Sequence, residues 1–316
     1  MFTPARISRR EAVGTLAAAG GAAMLGSLPV SAIADEKFSE HPLIDAHSHV
    51  WSPDTDKWPL AGGKTKADLD PPSFTPEELL KLAHPERVGR VVLIQHHTYH
   101  SWDNSYLIDC AARMPGTFAV TGMLDDTQAN PAQQMRPLLE KRVRGFRITS
   151  WLRKEKWLSG DGMAAMWRTG AETGQAMCCL INPEDLPGVD AICAKHPDTT
   201  VVIDHFARIG VDGEIRSADL KNLLALAKHK RVNVKLSAYY ALGKKQEPYE
   251  DLLPMIRQVL TAFGPDRCMW ASDAPYQVVK GHTYGASIAL LRDRAGLSAG
   301  DKEHLFRKTA ERIYFS

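Results

Sequence analysis

Leu43-Ile44-Asp45-Ala46-His47-Ser48-His49-Val50 is a short apolar run broken by ionisable groups. Its length and its Leu, Ile and Val content predict a strand. Seven more such runs follow: Arg90–His97, Phe118–Leu124, Val143–Thr149, Ala176–Asn182, Thr200–His205, Val232–Ala238 and Cys268–Ser272. Helical patterns lie between them. Thr75-Pro76-Glu77-Glu78 reads as an N-cap, a proline in the first turn and two acids. Asn130-Pro131-Ala132 and Glu184–Lys195 read similarly, and Ser217–His229 puts Leu220, Leu223, Leu224 and Ala227 on one face. Strands alternating with helices imply a parallel sheet, and eight of them close into an α/β (β/α)8 (TIM) barrel. An open doubly wound sheet would need a glycine-rich phosphate loop after the first strand, and none is present. A barrel takes about 250 residues. The chain of 316 therefore suits one such domain, residues 35–316, behind an N-terminal extension.

The polar residues sit where the strands end. His47 and His49, two apart on a strand, point to one side and reach one metal ion together. The sixth run ends in Asp204-His205 and the eighth in Ser272-Asp273. Apolar strands do not carry ionisable groups cheaply unless these are paired, bonded or coordinated. Convergence of His47, His49, His205 and Asp273 on one mouth gives a set suited to Zn²⁺. Simple alternation turns Asp45 to the same side as His47 but one step deeper, and turns Asp204 outward, opposite His205. Asp273 is then the expected general base, with His205 beside it.

His-x-His after strand one, His after strand six and Asp after strand eight resemble the amidohydrolase superfamily. Val202-Ile203-Asp204-His205 and Trp270-Ala271-Ser272-Asp273-Ala274-Pro275 look like its lactonase branch, which includes sugar-lactonases and 2-pyrone-4,6-dicarboxylate lactonases. The resemblance spans about residues 43–316. It implies hydrolysis of a cyclic ester by a water that Asp273 activates, with His47, His49 and His205 polarising the carbonyl. That polarisation takes place with one divalent metal, Zn foremost, or with none. Many superfamily members place a lysine or glutamate after strand four and a histidine after strand five. Here those strands end Arg144-Gly145-Phe146-Arg147 and Leu180-Ile181-Asn182, which argues against a binuclear site. The missing fifth-strand histidine also counts against the two other enzyme readings, a metal-dependent amidohydrolase and a decarboxylase. A third alternative, a periplasmic binding protein without catalysis, has no need of Asp273 beside His205.

Arg147, Arg153 and Arg208 fall on the catalytic face, and the planar guanidinium suits bidentate carboxylate binding. In the pyrone-dicarboxylate lactonases, arginines at matching positions hold substrate carboxylates, so the resemblance implies a carboxylated lactone. Tyr239 and Tyr240 stand on the seventh strand where that branch leads one to look for another polar anchor. His96 and His97 (with His100 close by) and Trp51 (with Trp58, Trp102 and Trp151) belong to loops of the same face. Among these, Tyr240, His96, His97 and Trp51 are the expected substrate contacts.

Residues 1–34 read as an address. Ser8-Arg9-Arg10-Glu11-Ala12 is a twin-arginine pattern, although Ala12 replaces the usual bulkier apolar residue. A Gly/Ala-rich apolar run to Leu28 and a small-residue site at Ala32-Ile33-Ala34 follow. The apolar run is short of the ~20 residues that a membrane span needs. The expected location is the periplasm, reached folded, which accords with a metal loaded beforehand. Removing this segment takes Arg6, Arg9, Arg10 and Glu11 from the 39 basic and 37 acidic residues, so the two signs balance. Nothing then points to a nucleic-acid or membrane-surface partner. The five cysteines fit no zinc or disulfide spacing and read as buried thiols.

Overall fold

In the computed structural model, residues 38–153 and 157–316 are described. The twin-arginine reading falls on residues 1–34 and so lies outside them. The described residues form an eight-stranded sheet in the order β1 to β8. The strands are Leu43–Ser48, Val88–Ile94, Phe118–Gly122, Val143–Ile148, Ala176–Cys179, Val201–Ile203, Val232–Leu236 and Cys268–Trp270. Each pairs in parallel with the next. β8 returns to β1 through the Ser48/Ala274 bridge and the bond from Asp273 N–H to the His47 carbonyl. The protein is a (β/α)8 barrel.

All eight expected strands are present, and each ends earlier than its apolar run. The residues beyond the ladder are the ones that build the mouth. Helices follow the strands, among them Pro76–Ala83, Pro131–Glu140, Leu186–Lys195 and Ser217–Ala225. The Thr75 hydroxyl accepts from Glu78 N–H at the expected N-cap, and the Glu78 carboxylate accepts from Thr75 N–H, which closes a capping box.

Strand side chains divide between two cores. Val91, Leu93, Val120, Phe146, Met177 and Val234 pack outward against the helices. Ile44, Ala46, Val92, Ile94, Ala119, Cys178, Val202, Met269 and Ala271 fill the barrel. Tyr314, near the C-terminus, joins that inner core and places its hydroxyl 3.4 Å from Cys178 Sγ. All five cysteines are buried and free.

Candidate active site

The inner face changes character above the Cys178 level. On β7, Val232, Val234 and Leu236 face outward, so the alternate residue, Lys235, faces in. It is fully buried. Its Nζ lies 3.1 Å from Asp204 Oδ1 and 3.2 Å from His47 Nδ1. Burial pushes the Asp204 carboxyl up, but Lys235 and His47 outweigh it and hold the group well below its ordinary value. Asp204 is thus the ionised floor of the site, with Arg147 Nε 3.8 Å away.

This corrects two expectations from strand alternation. Asp204 is inward, in line with Val202. It is His205 that departs, because the chain leaves β6 in a left-handed turn. His205, Phe206, Ala207 and Arg208 have φ of 51°, 53°, 54° and 58°. Left-handed backbone costs L-residues roughly 1–2 kcal/mol each. That strain is tolerated where it aims side chains at a site, and here it delivers both His205 and Arg208 to one cavity. Asp45 is likewise not on the His47 side. β1 advances from Asp45 to Ser48 while β2 advances only from Val91 to Leu93, a bulge that shifts parity. Asp45 therefore points between β1 and β8. There it accepts bonds from the backbone N–H of His47 and Ser272 and from the hydroxyls of Ser48 and Tyr284.

His47, His49, His205 and Asp273 do converge. Asp273 Oδ1 is 3.4 Å from both His47 Nε2 and His49 Nε2, and Oδ2 is 3.8 Å from His205 Nε2. The Tyr240 hydroxyl donates to Oδ2 at 2.7 Å. Burial raises the Asp273 pKa, with His205, Tyr240 and Arg147 pulling against it. The imidazoles are held neutral: burial, helped by Arg147, lowers His49 to about 3. His47 lies well below its ordinary value because of burial and then Lys235, and His205 is lowered by burial.

Hydrogen bonds assign the His49 tautomer. His49 Nδ1 faces the Ile94 carbonyl at 2.9 Å, so the proton sits there and the Nε2 lone pair faces Asp273. His47 faces a cationic donor at each ring nitrogen, Lys235 Nζ 3.2 Å from Nδ1 and Arg147 Nη2 3.2 Å from Nε2, with the Asp204 carboxylate 3.6 Å from Nδ1. His205 Nδ1 is 2.8 Å from the Ser237 hydroxyl, which serves either tautomer.

His47, His49 and Asp273 each bring one donor atom within 4.8 Å of the others, as do His47, Asp204 and His205. Two imidazoles and a carboxylate in a buried pocket fit a divalent ion such as Zn²⁺ by donor type. The backbone carbonyl on His49 Nδ1 is the support that metal-bound imidazoles receive. Arg147 Nη2, 3.2 Å from His47 Nε2, is the neighbouring charge that such an ion would have to displace.

Above this floor lies a cavity of about 300 Å³. Arg147, Arg208, His49, His96, His97, His205, Tyr240, Asp273 and Tyr276 line it on the polar side, and Trp151, Leu152, Leu180, Val211 and Leu242 on the apolar side. Arg208 stacks on Trp151 and bonds the Asn182 side chain. Two expected contacts are elsewhere. Arg153 is turned away onto Asp126 and the Leu124 carbonyl, with its guanidinium over Trp102. Trp51 is fully buried, donates to the Pro71 carbonyl and packs behind His96. Lys235 and Tyr276 were not singled out from the sequence. The signal for Lys235 was the strict alternation Val232-Asn233-Val234-Lys235-Leu236-Ser237, which puts three polar groups on the inner face.

The family model described as Amidohydrolase matches residues 44–315. The chain belongs to this family. It is 30% identical over 258 residues to the L-fucono-1,5-lactonase of Burkholderia ambifaria, covering 78% of this chain and 85% of that protein. It is 27% identical over 240 residues to the 4-sulfomuconolactone hydrolase of Rhizobium radiobacter, covering 73% of this chain and 75% of that protein. A crystal structure of a Burkholderia multivorans amidohydrolase with bound zinc matches with a TM-score of 0.69 and 23% identity, over 86% of this chain and 99% of the other. At that identity the structural likeness establishes the fold.

Proposed function

We propose that this amidohydrolase-family protein is a lactonase that opens a cyclic ester carrying an anionic group. The observation that carries the reading is Asp273: a buried carboxylate of raised basicity, touched by three neutral imidazoles at the mouth of the barrel. The lactonases among its relatives support the same reaction class.

The residues divide the work as follows. A water held between Asp273 Oδ1 and the His49 Nε2 lone pair meets two acceptors, so its own lone pair is free to attack. Asp273 takes the proton as the new C–O bond forms. His47, His205 and the Arg147 guanidinium offset the negative charge on the carbonyl oxygen. The ring C–O bond then breaks, and Asp273 returns its proton to the departing oxygen. A divalent ion held by His47, His49 and Asp273 would supply further polarisation of the carbonyl. Arg147 and Arg208 are the anchors for the anionic group, and the apolar wall from Trp151 to Leu242 takes the rest of the ring.

The test is Asp273→Asn, which keeps size and removes basicity. The folded variant should lose about 10²–10⁴ in kcat on whichever lactone the wild type opens best. A near wild-type rate refutes the assignment. Metal content of the purified protein, with activity before and after chelation, separates an ion-assisted site from one run by the side chains alone. Residues 1–34 are proposed as the export signal. Periplasmic fractionation of wild type against Arg9→Lys/Arg10→Lys tests that.

A further inference from the structure

His96 and Tyr276 form a pair that the mechanism above leaves unused. Tyr276 Oη and His96 Nε2 lie 2.6 Å apart. The other ring nitrogen of His96, Nδ1, is buried and has no hydrogen-bond partner among the described residues. That asymmetry decides where the proton is. Buried N–H groups without an acceptor are rarer than underused acceptors, so the proton belongs on Nε2 and His96 donates to the Tyr276 oxygen. The Tyr276 hydroxyl hydrogen then meets no acceptor among the described residues and is free for the cavity that Tyr276 lines. Burial pushes the Tyr276 phenol up, which keeps it a donor across the working pH range. Trp51 and Tyr99 pack against the His96 ring and fix it from behind.

The surroundings say which ligand atom receives that bond. The Tyr276 ring stacks on Tyr240 at 6.3 Å and stands edge-on to His49 at 5.8 Å. Tyr240 bonds Asp273 Oδ2, and His49 Nε2 is 3.4 Å from Oδ1. Both neighbours of Tyr276 therefore touch the general base. The carbon attacked by the Asp273-bound water carries two oxygens. His47, His205 and Arg147 serve the carbonyl oxygen, which leaves Tyr276 for the ring oxygen.

We propose that Tyr276 donates a hydrogen bond to the ring oxygen of the lactone as its C–O bond breaks, and that His96 is the positioning residue that turns the Tyr276 hydroxyl toward it. This rests on the lactonase reading. Bond making is unchanged: water oxygen to acyl carbon, its proton to Asp273, the ring C–O pair to the departing oxygen, and the proton from Asp273 to that oxygen. Tyr276 keeps its proton throughout and stabilises charge that exists only in transit. Its value therefore scales with the basicity of the departing oxygen. It is large for a saturated lactone, which releases an aliphatic alkoxide, and small for an aryl lactone, which releases a phenolate.

The experiment compares the wild type with Tyr276→Phe, His96→Met and His96→Gln on a saturated δ-lactone and on dihydrocoumarin, an aryl lactone. Thermal midpoints check that each variant is folded. Tyr276→Phe should lower kcat on the saturated lactone by about 10- to 100-fold, the worth of one bond to a developing charge. It should lower kcat on dihydrocoumarin by less than about threefold, with KM little changed on either. His96→Met should follow the same pattern with smaller amplitude, and His96→Gln, which keeps an N–H within reach of the phenol, should restore most of the loss. An equal loss on both substrates, or a raised KM with kcat intact, overturns the proposal. A wild type that opens no lactone removes the lactonase reading itself and this inference with it.

Discussion

Tyr240→Phe tests the electrostatics of the general base with one missing oxygen. The half-buried Tyr240 gives the buried Asp273 Oδ2 a 2.7 Å hydroxyl bond. The bond favours the carboxylate over the acid, so it holds down a pKa that burial raises. A hydrogen bond to a charged group is worth about 1.5–3 kcal/mol, and one pH unit corresponds to about 1.4 kcal/mol. Part of the loss is recovered by the residual partners of Asp273, His205 and Arg147. The carboxyl should therefore rise by about one pH unit. The sign follows directly. Catalysis needs the carboxylate, so activity falls as pH drops through the Asp273 pKa, and a higher pKa moves that fall to higher pH. The assay is kcat/KM against pH, which reports the free enzyme. In the variant the acid limb should lie about one unit above that of the wild type. The aromatic ring remains, so its contact with Tyr276 persists. An acid limb that stays put, or moves to lower pH, refutes the view that Asp273 is the titrating base and that Tyr240 tunes it.

Two more outcomes follow from the charged groups beneath and beside that carboxylate. Lys235→Met leaves Asp204 buried without its partner and should cost about 3–5 kcal/mol in urea unfolding, whereas adding Asp204→Leu should recover much of the loss. If Lys235→Met alone is as stable as the wild type, the pair is not the buried ion pair described. Arg147→Ala, which also takes a partner from the carbonyl oxygen, should impair every lactone, whereas Arg208→Ala should impair a carboxylated lactone by about 2–5 kcal/mol in transition-state binding and a neutral lactone of the same ring far less. Equal losses from Arg208→Ala on the two substrates would remove its anion-anchor role.

The barrel was legible because its strands are buried on both faces. Runs such as Val201-Val202-Ile203 and Cys268-Met269-Trp270 need apolar residues at every position, so they stand out against the amphipathic helices between them. The convergence of His47, His49, His205 and Asp273 was legible for a related reason. Parallel strands carry all their C-terminal ends to one mouth. What alternation could not reach lies in the single residues at those ends, where the chain stops being a strand. The Asp45–Ser48 bulge reverses the parity of β1 between Asp45 and His47. The left-handed turn at His205, and the φ of 64° at Asp273, re-aim the residues after β6 and β8. Each deviation has the same effect. A regular strand sends successive side chains to opposite faces, so it offers only every second residue to the barrel axis. Breaking the rule at β6 puts Asp204 and His205, neighbours in sequence, into one site: the first as a floor charge paired with Lys235, the second as a group facing Asp273. A barrel mouth needs that density of polar groups, and a strand with perfect alternation cannot supply it. The positions where period-two reading fails are thus the positions where the fold departs from regular geometry to concentrate chemistry, and that departure is written in φ angles that no hydrophobic pattern encodes.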